Sequence, residues 1–403
     1  MMNVKIFPSV ATGEIHPPSS KSCAHRLLIC AALSDGLSKI SNIGSNDDIL
    51  ATIDCLKNLG ADIDINGDVA TVKGINISKK SKTLQLNCNE SGSTLRFFIP
   101  LSLLLSEETV FYGSDRLLSR PQSVYEAIFN EKGCFIGNNG KQLKTAGELK
   151  YGVFKMRGDV SSQFLTGLLF ALPLLKGDSQ IVLTTPLESA PYVDITIDVL
   201  SKFGVSVERK SESSFYIKGN QKYLPQTLSV ECDWSNAAFL DAFNLSGGNV
   251  AVEGLDYESC QGDKAYKVFY EKIKSGCPEI DISDCPDLGP VLIAVSTICN
   301  GAVIKGTKRL KIKESDRGEA MKQELKKFGV DITVNEDSII VPKTKLLAPT
   351  ENLCCHNDHR IAMSLAVLCS VVGGVLENAQ CVNKSYPEFF DDIKTLGIQY
   401  KII

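Results

Sequence analysis

At 403 residues the chain is too long for one ordinary hydrophobic core, so two domains are expected. A composition of 43% hydrophobic and 22% charged residues is that of a globular protein rather than a disordered one, and its apolar runs fall well short of the ~20 residues that span a bilayer. A formal net charge of −4 argues against a non-specific nucleic-acid binder with a broad basic face, so cations serving anionic ligands must be gathered locally.

Residues 1–13 have no basic start followed by a long apolar core, so no signal peptide is expected. Fourteen cysteines, several inside apolar helical patterns (Cys30, Cys299, Cys369), then read as reduced, buried thiols of a cytoplasmic protein. From residue 18 onward one pattern recurs. Ser19-Ser20-Lys21-Ser22 opens an apolar helix over 24–33, and a later amphipathic helix ends at Leu59-Gly60 before an alternating strand. Asn89-Glu90-Ser91-Gly92-Ser93 precedes an apolar helix over 94–105; Arg120-Pro121 follows in a loop, with a weaker closing glycine at Gly133. Ser161-Ser162-Gln163 precedes 164–175, with Ser189 and Pro191-Tyr192 ahead of a helix closed by Gly204.

The second half repeats the scheme. Asp233-Trp234-Ser235-Asn236 leads into 237–243, with a weaker closing glycine at Gly276. Cys285-Pro286-Asp287 leads into 288–298, followed by the basic Lys308-Arg309-Leu310-Lys311, the charged Lys313-Glu314-Ser315-Asp316-Arg317 and Gly329. Asn357-Asp358-His359-Arg360 opens 360–372, and Lys384-Ser385-Tyr386-Pro387 precedes a helix closed by Gly397. Helices apolar nearly all round belong inside a domain; glycines after Leu or Phe at helix ends mark C′ positions that favour positive φ. Six copies of one unit, three per domain, are expected.

A Rossmann or P-loop reading fails, since no Gly-x-Gly-x-x-Gly follows a strand and Gly137-Asn138-Asn139-Gly140-Lys141 lacks Walker spacing. Cys354-Cys355-His356-Asn357-Asp358-His359 lacks the spacing of a metal site, so no metal is expected. The polar stretches lie at helix N-termini, where free N–H groups and the macrodipole attract anions. Each alone is an ordinary N-cap. An arginine opening a wholly apolar helix, as Arg360 does, is harder to place without an anion to meet.

Together, Ser20-Lys21-Ser22 with Arg26, Gly92 to Arg96, Arg120-Pro121, Ser161-Ser162-Gln163, Ser189 with Tyr192, Lys313-Glu314 with Arg317, Asn357 to Arg360, and Lys384 resemble the 5-enolpyruvylshikimate-3-phosphate synthase family, in the family's order and over essentially the whole chain. The resemblance implies an α/β protein of two inside-out α/β barrel domains (the enolpyruvyl transferase fold), built from six βαβαββ-type repeats. One lobe would be 14–225 and the other 1–13 with 226–403, the two crossings acting as a hinge that closes on substrates. It implies transfer of the enolpyruvyl group of phosphoenolpyruvate to the 5-hydroxyl of shikimate 3-phosphate by a monomer, with no cofactor, nucleic acid or membrane involved. By matching motif, Asp287 would act as base, with Glu314 and Lys21 managing the other proton transfers. Lys21, Gly92, Arg120, Gln163, Arg317, Arg360 and Lys384 would hold phosphoenolpyruvate. Lys21, Ser22, Arg26, Ser161, Ser162, Gln163, Ser189, Tyr192, Asp287, Arg309 and Lys313 would hold shikimate 3-phosphate. The family pattern usually has asparagine at Glu90 and at Arg309, and Gly-Asp-x-Ser-Ser where this chain has Cys232 to Asn236. The alternatives are UDP-N-acetylglucosamine enolpyruvyl transferase, whose usual loop cysteine is missing from Gly113 to Arg120, and a non-catalytic phosphate- or RNA-end-binding protein.

Overall fold

Two kinds of helix organise the chain. The computed structural model describes residues 2–403. It divides into a unit Ser19–Glu231 and a unit made of Cys232–Ile403 with the N-terminal segment up to Pro18. The first unit contains α1 (Lys21–Leu33), α2 (Asp47–Asn58), α3 (Gly92–Leu105), α4 (Asp115–Ser119), α5 (Ser123–Lys132), α6 (Ser162–Ala171) and α7 (Ala190–Lys202). Helices α1, α3 and α6 have no polar face, and Leu28, Ile29, Phe98, Ile99, Leu168 and Leu169 are wholly buried. Each such side chain contributes about 1.5–3 kcal/mol relative to exposure, so these helices must occupy the interior. Helix α2 instead buries one face, including Ile49, Ile53 and Leu56, and exposes Leu50, Asp54 and Lys57.

Three four-stranded sheets accompany these helices. They run Thr227–Ser229, Leu37–Ser41, Val69–Lys73, Asp62–Asn66; then Ser81–Asn87, Ser106–Tyr112, Leu143–Ala146, Phe135–Asn138; then Val153–Met156, Ser179–Leu183, Ser214–Ile217, Glu208–Ser211. In every one the first pair is parallel and the next two are antiparallel. Strand alternation buries Ile63, Ala70 and Val72 on one side.

The second unit contains α8 (Trp234–Leu245), α9 (Tyr266–Ser275), α10 (Gly289–Ile298), α11 (Arg317–Lys327), α12 (His359–Val372) and α13 (Phe389–Thr395). Helices α8, α10 and α12 are its buried members. The sheet Glu279–Asp281, Ala302–Lys305, Ser338–Val341, Thr333–Val334 repeats the same pairing. In the sheet Leu353–Cys354, Gly374–Glu377, Val4–Ile6, Tyr400–Ile402 the N-terminal strand takes the third place, with Val4 opposite both Leu376 and Ile402.

The six copies are not equal. The fourth has only two strands, Thr12–Ile15 and Asn249–Val252, in parallel. Its surface helix α9 runs on into the next sheet with no hairpin between. Gly276 accordingly has φ 170°, extended backbone open to any residue, whereas Gly60, Gly133, Gly204, Gly329 and Gly397 lie between 72° and 102°. The lobe boundaries differ from 13/14 and 225/226 for the same kind of reason: Thr12–Ile15 pairs with Asn249–Val252, and Thr227–Ser229 with Leu37–Ser41. They fall at Pro18/Ser19 and Glu231/Cys232. Helix α6 stops at Ala171 and passes into a 3₁₀ turn at Leu172–Leu174, because Pro173 cannot continue it. All fourteen cysteines are free thiols, and among the described residues no helix is long and apolar enough to cross a membrane.

Candidate active site

In the unit Ser19–Glu231 the expected residues lie at helix N-termini. Ser20 caps α1 by accepting the Cys23 N–H, which places Lys21 and Ser22 at the helix mouth. Lys21 Nζ pairs with Asp48 Oδ2 of α2 at 2.7 Å. Arg26, one turn in and 2% exposed, donates to Thr196 Oγ1 at 2.8 Å, the Ser22 carbonyl at 2.6 Å and the Tyr192 carbonyl at 2.9 Å. Those acceptors are all neutral, and burial pushes the guanidinium down to about 10. Ser189 stands at the N-cap position of α7 in the left-handed region, φ 58°, and Tyr192 follows in the first turn.

Ser91 caps α3 and Gly92 is its first residue. A Cβ on Gly92 would stand 2.9 Å from Arg120 Cζ, so the glycine makes room for that guanidinium over the helix N-terminus. Arg120 is buried, has no carboxylate within ion-pair distance among the described residues, and its Nε lacks a hydrogen-bond partner. Ser161 caps α6 by accepting the Gln163 N–H, with Ser162 and Gln163 in the first turn. The Gln163 amide is clamped from both sides: Arg96 Nη1 donates to Oε1 at 2.8 Å, and Nε2 donates to Ser93 Oγ at 3.0 Å. Arg96 also donates to the Pro121 carbonyl at 3.1 Å and lies 4.6 Å from the Phe164 ring centre. It ties the Arg120 loop to Gln163. Behind this wall, His25 Nδ1, Thr52, Thr94 and Ser91 form a chain of 2.7 Å hydrogen bonds. Burial, then Lys21 and Arg26, hold His25 well below the usual histidine range, so it is neutral.

In the other unit the charges converge on Arg317, the first residue of α11 and 1% exposed. Its Nε donates to Asp358 Oδ2 at 2.9 Å, Nη1 to Asp287 Oδ1 at 2.8 Å, and Nη2 to Glu314 Oε2 at 2.7 Å. Burial opposes its charge, yet Asp358, Glu314 and Asp287 raise its pKa above the ordinary value. The expectation that Arg317 grips a ligand is therefore not what this geometry displays: its guanidinium is taken up by three carboxylates. Asp358, fully buried, caps α12 through the Arg360 N–H and also accepts from Ser315 Oγ at 3.0 Å.

Asp287 lies in a short 3₁₀ turn just before α10. It receives Arg317, Lys313 Nζ at 3.1 Å on Oδ1 and Arg360 Nη2 at 3.1 Å on Oδ2. Burial works to raise its pKa, but Arg360, Lys313 and Arg317 together hold it well below the carboxylate range. Burial pushes Lys313 down, with Asp287 pulling it back. Arg360 Nη1 reaches Ser235 Oγ at 2.5 Å and the Asp287 carbonyl at 3.2 Å. Arg309 is buried and donates to the Ser283 carbonyl. Lys384 Nζ donates to the Asn357 carbonyl at 2.5 Å. His356 and Asn357 both adopt φ near 50°, and Glu324 pairs with His356 Nε2 at 2.9 Å.

The description "EPSP synthase (3-phosphoshikimate 1-carboxyvinyltransferase)" belongs to the family model that matches residues 8–393. The chain belongs to the EPSP synthase family. A 3-phosphoshikimate 1-carboxyvinyltransferase of Clostridium botulinum (strain Alaska E43 / Type E3) is 44% identical over 423 residues, covering 98% of each chain. That of Clostridium kluyveri is 44% identical over 418 residues, again covering 98% of each. The solved EPSP synthase of Acinetobacter baumannii shares the fold, with a TM-score of 0.79 at 21% identity over the whole of both chains.

In this EPSP synthase family member Arg96, Ser235 and Asp358 stand in stretches that the sequence singles out without a role of their own, and Asp48 is not singled out at all; each positions an expected residue. Their signals were faint: Asp358 stood in a cap position, and Arg96 sat inside an apolar helix with no visible partner. Asp263, near Asp287 and Ser235, gave no signal at all.

Proposed function

We propose that the chain transfers the enolpyruvyl group of phosphoenolpyruvate to the 5-hydroxyl of shikimate 3-phosphate, giving 5-enolpyruvylshikimate 3-phosphate and phosphate. The 5-hydroxyl oxygen bonds to C2 of phosphoenolpyruvate, its proton passes to Asp287, and C3 gains a proton. The tetrahedral adduct then loses the C3 proton and expels phosphate, restoring the double bond. Glu314 and Lys21 handle the C3 proton and the departing phosphate. General acid–base catalysis of this kind contributes about 10²–10⁴-fold.

Residue roles follow the same reading. Lys21, Gly92, Arg120, Gln163, Arg317, Arg360 and Lys384 serve phosphoenolpyruvate, with Arg317 acting through Asp287 and Glu314. Ser22, Arg26, Ser161, Ser162, Ser189, Tyr192, Arg309 and Lys313 serve shikimate 3-phosphate. Arg26 and Arg120, buried without a carboxylate partner, favour anionic ligands, because an unpaired buried cation is costly. The observation that carries the proposal is the convergence of Lys313, Arg317 and Arg360 on Asp287. A carboxylate so compensated is a weak base. Substrate anions competing for Lys313 and Arg360 would release Asp287 to accept a proton when both substrates are present. We further propose that the protein works in the cytoplasm as a monomer and that the two units are the enzyme's lobes. The test is phosphate release from phosphoenolpyruvate, which requires shikimate 3-phosphate on this reading. Release with UDP-N-acetylglucosamine in its place would contradict it.

A further inference from the structure

The segment that carries Asn357, Asp358 and Arg360 is fastened to α11 at a second place, about two turns beyond Arg317. Glu324 lies on the same face of that helix as Arg317 and is 2% exposed. Its Oε2 accepts the Cys354 N–H at 2.9 Å and Lys327 Nζ at 2.8 Å, and its Oε1 meets His356 Nε2 at 2.9 Å. Lys327 Nζ goes on to the Asn352 carbonyl at 2.9 Å. Leu353–Cys354 is an edge strand, so the helix takes up its outward N–H and grips the chain at residues 352, 354 and 356. Burial works to raise the Glu324 pKa, but His356 and Lys327 hold it below its ordinary value. An ionised carboxylate only accepts, so His356 Nε2 carries the proton between them.

Beyond that grip the chain turns sharply. His356 and Asn357 are consecutive residues in the left-handed region, φ 50° and 51°, where a Cβ crowds the backbone and the conformation persists only if its surroundings fix it. The turn aims the Asn357 carbonyl at Lys384 Nζ and delivers Asp358 to Ser315, Arg317 and the Arg360 N–H. We propose that Glu324 and His356 are positioning residues for the enolpyruvyl transfer: their hydrogen bond fixes the turn at 356–357 and so places Lys384 and Arg360 for phosphoenolpyruvate. This rests on the reading under Proposed function, which gives both cations to that substrate. Asp358 keeps Arg317 and Ser315 whatever His356 does, so loss of the clasp releases the turn and Lys384 while α12 keeps its cap.

The experiment measures steady-state phosphate release by the full chain, varying each substrate in turn, for wild type, His356→Phe, His356→Gln and Glu324→Gln. His356→Phe keeps a ring and removes the donor; His356→Gln restores an N–H in place of Nε2. Glu324→Gln keeps the shape but leaves one acceptor oxygen where two carboxylate oxygens served Cys354, Lys327 and His356. His356→Phe and Glu324→Gln should raise KM for phosphoenolpyruvate about 10–100-fold, the worth of a hydrogen bond to a charged group. KM for shikimate 3-phosphate should stay within about twofold, and His356→Gln should recover most of the loss. A merely structural role would lower Tm and the active fraction, hence kcat, and leave both KM values where they were. An unchanged KM for phosphoenolpyruvate in His356→Phe, an equal rise in both KM values, or no recovery in His356→Gln would overturn the proposal while the reaction stands. Failure of wild type to turn over would overturn the reaction and this proposal with it. Should Glu324→Gln fail to fold, the two variants of the half-buried His356 decide.

Discussion

Arg317→Met should be the most damaging single change in the second unit. It removes four hydrogen bonds to Asp358, Asp287 and Glu314. Breaking a buried pair costs about 3–5 kcal/mol because the remaining charge is left uncompensated. Here Asp358 keeps Ser315 and the Arg360 N–H, and Asp287 keeps Lys313 and Arg360. The lower end, about 3 kcal/mol, is therefore the expectation, equivalent to a fall of about 6–12 °C in Tm for a unit of this size. Arg317→Lys should recover little, since one ammonium cannot reach three carboxylates in different directions. The loss is also pH-dependent. Asp287 has a folded pKa below its unfolded value, so its contribution is complete above about 4 and disappears as pH falls through the folded value. Without Arg317 that depression shrinks, and wild type and variant should converge on acidification below about pH 4. Thermal unfolding by circular dichroism across pH measures both effects. A Tm within about 2 °C of wild type at neutral pH would refute the hub assigned to Arg317.

Arg26→Met should behave oppositely. Its partners are neutral, so Tm should hold or rise slightly, while KM for shikimate 3-phosphate rises about 10–100-fold, the worth of a lost charged hydrogen bond; an unchanged KM would remove it from the site. Gly92→Ala forces only the flexible end of Arg120 to move, so Tm should stay within about 2 °C while KM for phosphoenolpyruvate rises about tenfold. Normal kinetics there would show that Arg120 can yield without loss. Asp287→Asn should lower kcat by about 10²–10⁴-fold in single-turnover assays, and near-normal turnover would void its role as base. His25 is neutral when folded and protonates more readily when unfolded, so it stabilises above about pH 6.5 and that share is lost as pH falls. His25→Gln should flatten the Tm profile between about pH 6.5 and 5, and an unchanged slope would count against it.

Much of this was readable from the chain. The buried helices declared themselves by lacking a polar face, and their polar first turns lay two to four residues ahead of the apolar runs. What could not be read were partners supplied from distant segments. The pairing of Arg317 with Asp287 and Asp358 was hidden because both lie far from it in sequence, and the purpose of Gly92 became visible only once Arg120 stood over it. The curtailed fourth copy was hidden for a related reason. Gly276 resembles the other closing glycines, and only the strand pairing shows that no hairpin follows it.

Phosphate release from phosphoenolpyruvate, followed with shikimate 3-phosphate, with UDP-N-acetylglucosamine and with no acceptor, tests the central claim most directly. The account predicts release with shikimate 3-phosphate alone, accompanied by an enolpyruvyl ether at its 5-oxygen in the mass spectrum. Release independent of that acceptor, or none with it, would contradict the account.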